Sequence, residues 1–185
     1  MGFGLKVILF SLVSAGIIWV SRPVLRDPQS HGFYRFLAWE VMLILFLINV
    51  DFWFYEPFSI HQILSWILLI LSLVLVIWGI QLLREQGRVD DEREDPNLVW
   101  IEKTTALVTI GIYRYIRHPF YSSLLFLGWG IFLKQVTWTG IVLVSVISIL
   151  LFITARKEEV ENTGFFGEAY QEYMKQTKMF IPFIF

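Results

Sequence analysis

The chain has 185 residues, of which 56% are hydrophobic and 17% aromatic, and its mean hydropathy is +0.63. Soluble domains are less apolar than this, so the composition indicates one membrane domain. The sequence contains no cysteine, which excludes disulfides and cysteine-ligated metals, and a net charge of −1 gives no global field that would attract nucleic acid.

Five apolar stretches are candidate transmembrane helices, because a helix needs about 20 apolar residues to cross the hydrocarbon of a bilayer. The fourth stretch is short and is followed at once by the fifth, so these two are expected to form a tight helical hairpin. We therefore predict an all-α polytopic membrane protein with five spans. In chain order the spans are Phe3–Val20, Phe36–Phe54, Ile60–Leu83, Pro119–Leu133 and Thr137–Ala155.

Basic residues are distributed unevenly among the predicted loops. The loops after the first and third spans and the tail together carry thirteen Lys and Arg, and the opposite side carries two. The positive-inside rule then places the amino terminus outside and the tail in the cytoplasm. The charge-rich connector from Arg84 to Pro96 fits a solvated loop.

The most informative motif directly precedes the fourth span and reads Gly-Ile-Tyr-Arg-Tyr-Ile-Arg-His-Pro-Phe-Tyr, from Gly111 to Tyr121. The residue before a proline avoids the helical conformation, whereas proline favours the first helical turn. Pro119 is therefore predicted to open the fourth span, with His118 at its mouth. The free N–H groups of the first turn would suit a carboxylate or phosphate. The alternative is an anchoring belt at the membrane interface.

A second charged cluster follows the fifth span and reads Arg-Lys-Glu-Glu-Val-Glu, from Arg156 to Glu161. Because the hairpin is tight, this cluster is expected to lie beside Arg117 and His118. Opposite charges at the mouth of an apolar hairpin would form a polar pocket with hydrocarbon walls. Alternatively, the basic pair fixes the topology and the glutamates cap a following helix.

After Gly164, apolar and aromatic residues recur at helical spacing, from Phe166 to Met174. This pattern predicts an amphipathic cytoplasmic helix that covers the hairpin as a lid, or else a helix lying in the lipid interface. The three histidines lie far apart, so the sequence lacks a local zinc signature. Glu40 and Asp51 are expected near opposite ends of the second span, at the interfaces.

The motif from Gly111 to Tyr121, the pair Glu158 and Glu159, and the segment from Phe166 to Tyr173 together resemble the isoprenylcysteine carboxyl methyltransferase family. That family is related to the membrane phospholipid methyltransferases. The resemblance runs from about Lys103 to Pro182. It implies a single domain, 1–185, in which 1–83 supplies three spans and 84–185 holds the cofactor and the catalytic site.

The resemblance further implies S-adenosyl-L-methionine as the methyl donor and S-adenosyl-L-homocysteine as its product, held without a Rossmann domain. The implied acceptor is the carboxylate of an isoprenylated (prenylated) cysteine or another lipophilic carboxylate, and the implied surroundings are the lipid bilayer. Arg156 would hold that carboxylate, and Arg117 is the second implied catalytic residue. The implied cofactor contacts are Thr105, Ala106, Leu107, Val108, Tyr113, His118, Pro119, Phe120, Tyr121 and one of the two glutamates Glu158 and Glu159.

The resemblance has two departures, because many members have proline at the position of Ile112 and glycine at the position of Ser123. Both substitutions leave the site plausible. A carboxylate acceptor is already a nucleophile and needs only alignment and the exclusion of water. An amine must lose a proton and requires a base such as His118 or a glutamate. The sequence leaves other functions open. These are an amine N-methyltransferase, an NADPH-dependent membrane reductase, and a non-catalytic scaffold or transporter.

Overall fold

The computed structural model describes residues 1–87 and 104–184, and its regular structure in these ranges is helical throughout. The prediction of an all-α protein is confirmed for this part of the chain. The connector predicted between Arg84 and Pro96 lies outside the described residues from residue 88 onward. The helices are α1 Phe3–Ser21, α2 His31–Asn49, α3 Ile60–Gln86, α4 Pro119–Phe132, α5 Trp138–Phe166 and α6 Glu168–Gln176.

Four of these helices, α1, α2, α3 and α5, are long and apolar enough to cross a membrane. The fourth predicted span, α4, has only 14 residues. At 1.5 Å per residue it is about 21 Å long, whereas the hydrocarbon of a bilayer is about 30 Å thick. Four of the five predicted spans are thus supported, whereas α4 is an apolar helix too short to cross the bilayer alone.

The second helix begins five residues earlier than the predicted span, because Ser30 caps it by accepting a hydrogen bond from the Phe33 N–H. Glu40 consequently lies at the midpoint of α2, where it accepts a hydrogen bond of 3.0 Å from Ser14. The expectation that Glu40 lies near the end of its span is therefore wrong. Asp51 does lie beyond the end of the helix, and it is paired there with Lys6 at 2.7 Å.

The fifth helix continues eleven residues beyond the predicted end at Ala155, to Phe166. Arg156 to Glu161 therefore lie on α5 itself and do not cap a later helix. Gly167 ends α5 with a positive φ of 61°, a conformation that residues with a Cβ rarely adopt. This turn reverses the chain so that α6 packs back on the end of α5, with the rings of Phe166 and Tyr170 stacked.

The helices pack as two main pairs, α3 along α4 and α2 along α5. The first helix packs on α2, and its apolar side chains are largely exposed, as expected for a surface that faces lipid. The main apolar core lies between α2, α4 and α5, and two tail residues, Met179 and Phe180, are part of it. The tail is therefore held inside the bundle and fixes the position of the chain beside the mouth of α4.

The carboxyl end of α4 is buried, and side chains from α2 and α3 supply the hydrogen bonds that its carbonyl groups need. Helix ends leave such carbonyls without partners, and a membrane interior offers no water to satisfy them. We call this set of contacts the α4 clamp. It consists of Ser65 Oγ to Gly130 O at 2.6 Å, Asn49 Nδ2 to Ile131 O at 2.8 Å, His61 Nδ1 to Leu133 O at 3.0 Å and Gln62 Nε2 to Lys134 O at 3.2 Å.

Lys134 lies in the link between α4 and α5, and it is 1% exposed. Its ammonium group donates to Gln62 Oε1 at 3.1 Å and lies 3.6 Å from the centre of the Trp66 ring. Such a cation–π contact stabilises a cation that has lost its water. The α4 clamp and Lys134 together fix one end of α4, and thereby the position of its other end, where the polar motif lies.

Candidate functional site

The mouth of α4 is built as the sequence predicts, with Pro119 as the first helical residue and His118 in the non-helical position before it. A short 3₁₀ turn from Gly111 to Arg114 precedes them. Gly111 has a positive φ of 59°, and a Cβ on it would lie 2.6 Å from a methyl carbon of Leu82. Glycine at this position therefore allows the segment to pack tightly against α3.

The tail runs parallel to the mouth and is hydrogen-bonded to it. The backbone N–H of Arg117 donates to Lys178 O at 2.8 Å, and that of His118 donates to Met179 O at 3.2 Å. From α6, the Tyr173 hydroxyl donates to Tyr113 O at 2.7 Å. The expected lid is thus bonded to the segment it was predicted to cover.

The charged ends of α4 and α5 converge, as the tight hairpin predicts, on the carboxylate of Glu159. This carboxylate is 2% exposed and accepts from Arg117 Nε at 2.7 Å and from Arg156 Nη1 at 3.0 Å. The other Arg117 nitrogens lie near Glu159 Oε1, at 2.7 Å from Nη2, and near the carbonyls of Met174 and Thr177, which face Nη1. Arg117 therefore joins α5 to the tail.

Glu158, the neighbour of Glu159, faces a different environment. Its Oε2 lies 3.7 Å from His118 Nδ1, whereas His118 Nε2 lies 3.5 Å from Glu159 Oε1. The imidazole is 4% exposed and stacks on the Tyr121 ring, with 5.4 Å between centroids. One histidine is thus held between two carboxylates in a fixed ring plane.

A cavity that opens to solvent lies at this mouth, and the space between its walls, including the solvent at its entrance, is about 610 Å³. Most of the predicted cofactor contacts form its wall, which also includes Arg117. The lining residues are Leu83, Thr104, Leu107, Val108, Tyr113, Arg117, His118, Pro119, Phe120, Tyr121, Glu158, Asn162, Phe166, Tyr170 and Tyr173.

Four of the predicted site residues lie beside the cavity and are not part of its wall. Thr105 and Ala106 donate their N–H groups to Gly87 O, which attaches this segment to the end of α3. Glu159 lies behind Arg117, and the side chain of Arg156 is 58% exposed. The functional roles of these four residues stay predictions.

Six wall residues were not among the predicted site residues. Phe166, Tyr170 and Tyr173 belong to the predicted tail helix, whereas Leu83, Thr104 and Asn162 were not singled out at all. Asn162 could have been found, because Glu158, Asn162 and Phe166 recur every four residues and so share one face of a helix. Burial raises the pKa of the Tyr170 hydroxyl, and the charge of Glu158 raises it further. Burial also raises the pKa of Tyr173. Both phenols therefore remain neutral hydrogen-bond donors at physiological pH.

Comparison with known proteins agrees with this geometry. The family model described as Phospholipid methyltransferase matches residues 60–172, a stretch that includes the mouth of α4, both glutamates and most of α6. No solved structure matches the chain.

Three curated relatives illustrate the similarity. A methanethiol S-methyltransferase of Crocosphaera subtropica is 26% identical over 90% of this chain and 66% of its own length. A probable protein-S-isoprenylcysteine O-methyltransferase of Oryza sativa subsp. indica is 30% identical over 64% of this chain and 63% of its own length. The protein-S-isoprenylcysteine O-methyltransferase of Homo sapiens is 32% identical over 65% of this chain and 43% of its own length.

The chain spans about two thirds or less of the length of these relatives. The family resemblance seen in the Gly111–Tyr121 motif, the paired glutamates and the tail is confirmed by these matches. The chain belongs to the phospholipid methyltransferase family.

Proposed function

We propose that the protein is an integral membrane methyltransferase that uses S-adenosyl-L-methionine and acts on a lipophilic acceptor. The observation that carries this proposal is the cavity at the mouth of α4, where buried titratable groups meet apolar walls inside a helical membrane bundle. Membership of the family and the names of the relatives support the same reaction class.

The cavity offers suitable residues for each chemical group of S-adenosyl-L-methionine. Leu83, Leu107 and Val108 offer an apolar wall for the adenine, and the tyrosine faces attract a sulfonium cation. The Glu158 carboxylate attracts the ammonium group of the donor, and the first turn of α4 suits its carboxylate. When bound, the donor supplies an electrophilic methyl group on a positively charged sulfur.

The chain's own part in the reaction is positioning and the exclusion of water. Arg117 and Tyr173 hold α6 and the tail against the mouth, so the cavity is closed on that side by protein. Alignment of two reactants in such a site accounts for much of the rate gain in group transfer, and a dry site strengthens every charge interaction. The predicted donor contacts outside the wall, Thr105, Ala106 and Glu159, would act by holding the wall in place.

The acceptor is the open part of this proposal. The rice and human relatives are named for isoprenylcysteine, which supports the predicted lipophilic carboxylate, and Arg156 would hold it. The cyanobacterial relative is named for methanethiol, a thiol, and supports a second acceptor class. We also propose, from the asymmetry of basic residues, that the cavity faces the cytoplasm.

Calorimetric titration of the purified protein with S-adenosyl-L-homocysteine tests the donor site. We expect saturable binding by the wild type and at least a tenfold weaker affinity for Glu158→Gln, because the charge that attracts the ammonium is lost. Glu172→Gln is the matched control, since Glu172 lies on the exposed face of α6 and pairs there with Lys175. No binding by the wild type would refute the proposed function.

A further inference from the structure

A second groove lies on the opposite side of α5 from the cavity at the mouth of α4, and we call it the rim groove. Its wall consists of Gln29, in the loop between α1 and α2, and of a stripe on α5. The stripe is formed by Phe152, Ile153, Arg156, Lys157, Val160 and Glu161. With about 100° between successive helical residues, its centre lies about 180° from Glu158, Asn162 and Phe166, which border the cavity. The rim groove is therefore separate from the proposed donor site.

The rim groove lies where α5 leaves the hydrocarbon of the bilayer. About 20 residues of helix cross about 30 Å of hydrocarbon, whereas α5 has 29 residues. Trp138 is 85% exposed and is an aromatic residue of the kind that lies at a membrane interface. Counted from Trp138, the crossing ends near Lys157. Phe152 and Ile153 therefore lie at the depth of the lipid tails, and Arg156 and Lys157 lie at the depth of the phosphates.

Both basic side chains of the rim groove keep hydrogen-bond donors for an anion. Arg156 uses Nη1 for Glu159 at 3.0 Å, and its Nε and Nη2 bond to no residue in 1–87 or 104–184. The ammonium of Lys157 donates to Gln29 O at 2.7 Å and lies 3.5 Å from Gln29 Oε1. A guanidinium has five N–H groups and an ammonium has three, so donors remain on both side chains.

Glu161 is the acidic residue of the wall, and it is turned towards α2. Its Oε1 accepts from the His31 backbone N–H at 3.4 Å, and its Oε2 faces the buried imidazole of the same residue. Its charge is thus engaged within the protein, and two positive charges remain above an apolar floor. Basic pockets beside membrane helices suit the head groups of anionic lipids.

We propose that the rim groove binds an anionic phospholipid, whose phosphate lies on Arg156 and Lys157 and whose acyl chain lies against Phe152 and Ile153. A zwitterionic head group is a poorer match, because it carries a cation that the two basic residues repel. An acidic segment of a partner protein could neutralise both charges, but it would leave the apolar half of the groove unfilled.

The proposed lipid site is independent of the proposed methyl transfer, because the two sites lie on opposite sides of α5. Arg156 has a proposed role with the acceptor, whereas Lys157 has no predicted part in the reaction. Lys157 is therefore the residue whose substitution tests lipid binding alone.

The test measures lipid binding to the full-length protein in detergent by native mass spectrometry. Dioleoylphosphatidylglycerol and dioleoylphosphatidylcholine have the same acyl chains and differ in net charge. We expect the wild type to bind the phosphatidylglycerol at least fivefold more tightly than the phosphatidylcholine. One basic residue contributes about fivefold to the affinity for an anionic surface. Lys157→Gln should therefore bind phosphatidylglycerol about fivefold more weakly and leave phosphatidylcholine binding unchanged.

Three controls separate the loss of charge from a loss of structure. The Lys157→Gln variant should fold normally, with Tm in lipid-free detergent within about 2 °C of the wild type, because the glutamine amide can still donate to Gln29. Lys157→Arg keeps the charge and should retain the binding of phosphatidylglycerol. Lys175→Gln removes an exposed lysine on α6, outside the groove, and should change neither lipid affinity.

A phosphatidylglycerol with a photoreactive group in its acyl chain locates the occupant. Crosslinks should concentrate on Phe152 and Ile153. Equal phosphatidylglycerol affinities of the wild type and Lys157→Gln, or crosslinks spread evenly along α1 and α3, would overturn the inference. Displacement of the lipid by soluble polyglutamate, together with unchanged lipid affinity in Phe152→Ala, would also overturn it and would assign the groove to an acidic protein segment.

Discussion

Replacing Glu159 by glutamine tests whether the ion cluster at the mouth holds the tail in place. The substitution keeps the size of the side chain but removes the counter-charge of Arg117, whose side chain is only 10% exposed. Breaking a buried ion pair by removing one partner typically costs about 3–5 kcal/mol. The glutamine carbonyl can still accept one hydrogen bond from Arg117, so we expect the lower end, about 3 kcal/mol.

Thermal unfolding in detergent, followed by tryptophan fluorescence, measures this loss. For a chain of this size 1 kcal/mol corresponds to about 2–4 °C, so Glu159→Gln should lower Tm by about 6–12 °C. Glu158→Gln is the matched control, because Glu158 borders the cavity and has no ion pair closer than 3.7 Å. It should change Tm by about 1–2 °C at most while weakening donor binding.

Limited trypsin digestion reports the local consequence. Lys175 and Lys178 lie exposed on α6 and the tail, on either side of Thr177, which accepts a hydrogen bond from Arg117. A tail released by Glu159→Gln should be cleaved faster at these lysines than in the wild type. Equal Tm values and equal cleavage rates for Glu158→Gln and Glu159→Gln would refute the distinction drawn between the two glutamates.

Three further predictions concern the α4 clamp, the buried lysine and the topology. Asn49→Leu removes the side-chain donor of the Ile131 carbonyl, which keeps the backbone N–H of Lys134, and should destabilise the protein by about 0.5–1.5 kcal/mol in thermal unfolding. Burial lowers the pKa of Lys134 to about 8. The folded protein therefore releases a proton that the unfolded chain keeps up to about pH 10.4. The free energy of unfolding should rise with pH between these two values, and Lys134→Met should abolish the rise. Because the sequence has no cysteine, Lys178→Cys and Trp138→Cys give single labels, and a membrane-impermeant maleimide should reach the first only from the cytoplasmic side and the second only from outside.

Local rules were sufficient to predict the mouth of the site. The conformational preferences of a His-Pro pair fix where α4 starts, and the short link to α5 requires both charged ends to meet. Neither conclusion depends on distant parts of the chain. This is why the sequence alone predicts that His118, Arg117 and Glu159 lie close together.

Hydropathy misplaces the end of α5 and the start of α2. The apolar run of α5 stops at Ala155, but arginine, lysine and glutamate are good helix formers, so the helix continues until Gly167 allows a turn. In α2, the predicted span begins after Arg35, although this side chain is buried and lies within the helix. A charged residue marks the end of an apolar surface but not the end of a helix.

The α4 clamp could not be predicted, because it depends on tertiary contacts. Asn49 is a polar residue within the second predicted span, but its partner, the Ile131 carbonyl, lies 82 positions away in the sequence. Gln62 and Ser65 resemble ordinary polar substitutions in a hydrophobic helix. Only the packing of α3 along α4 shows that they are directed at the same helix end.

Because α4 is short, a lipophilic substrate could react without leaving its leaflet of the bilayer. About 21 Å of helix in about 30 Å of hydrocarbon leaves one or both ends sunk below the surface of the bilayer. If the mouth of α4 is the sunken end, an alkyl chain stays among the lipid tails while its head group enters the cavity. Since each methylene moved from oil into water costs about 0.8 kcal/mol, a recessed chamber spares a twelve-carbon tail about 10 kcal/mol of transfer energy.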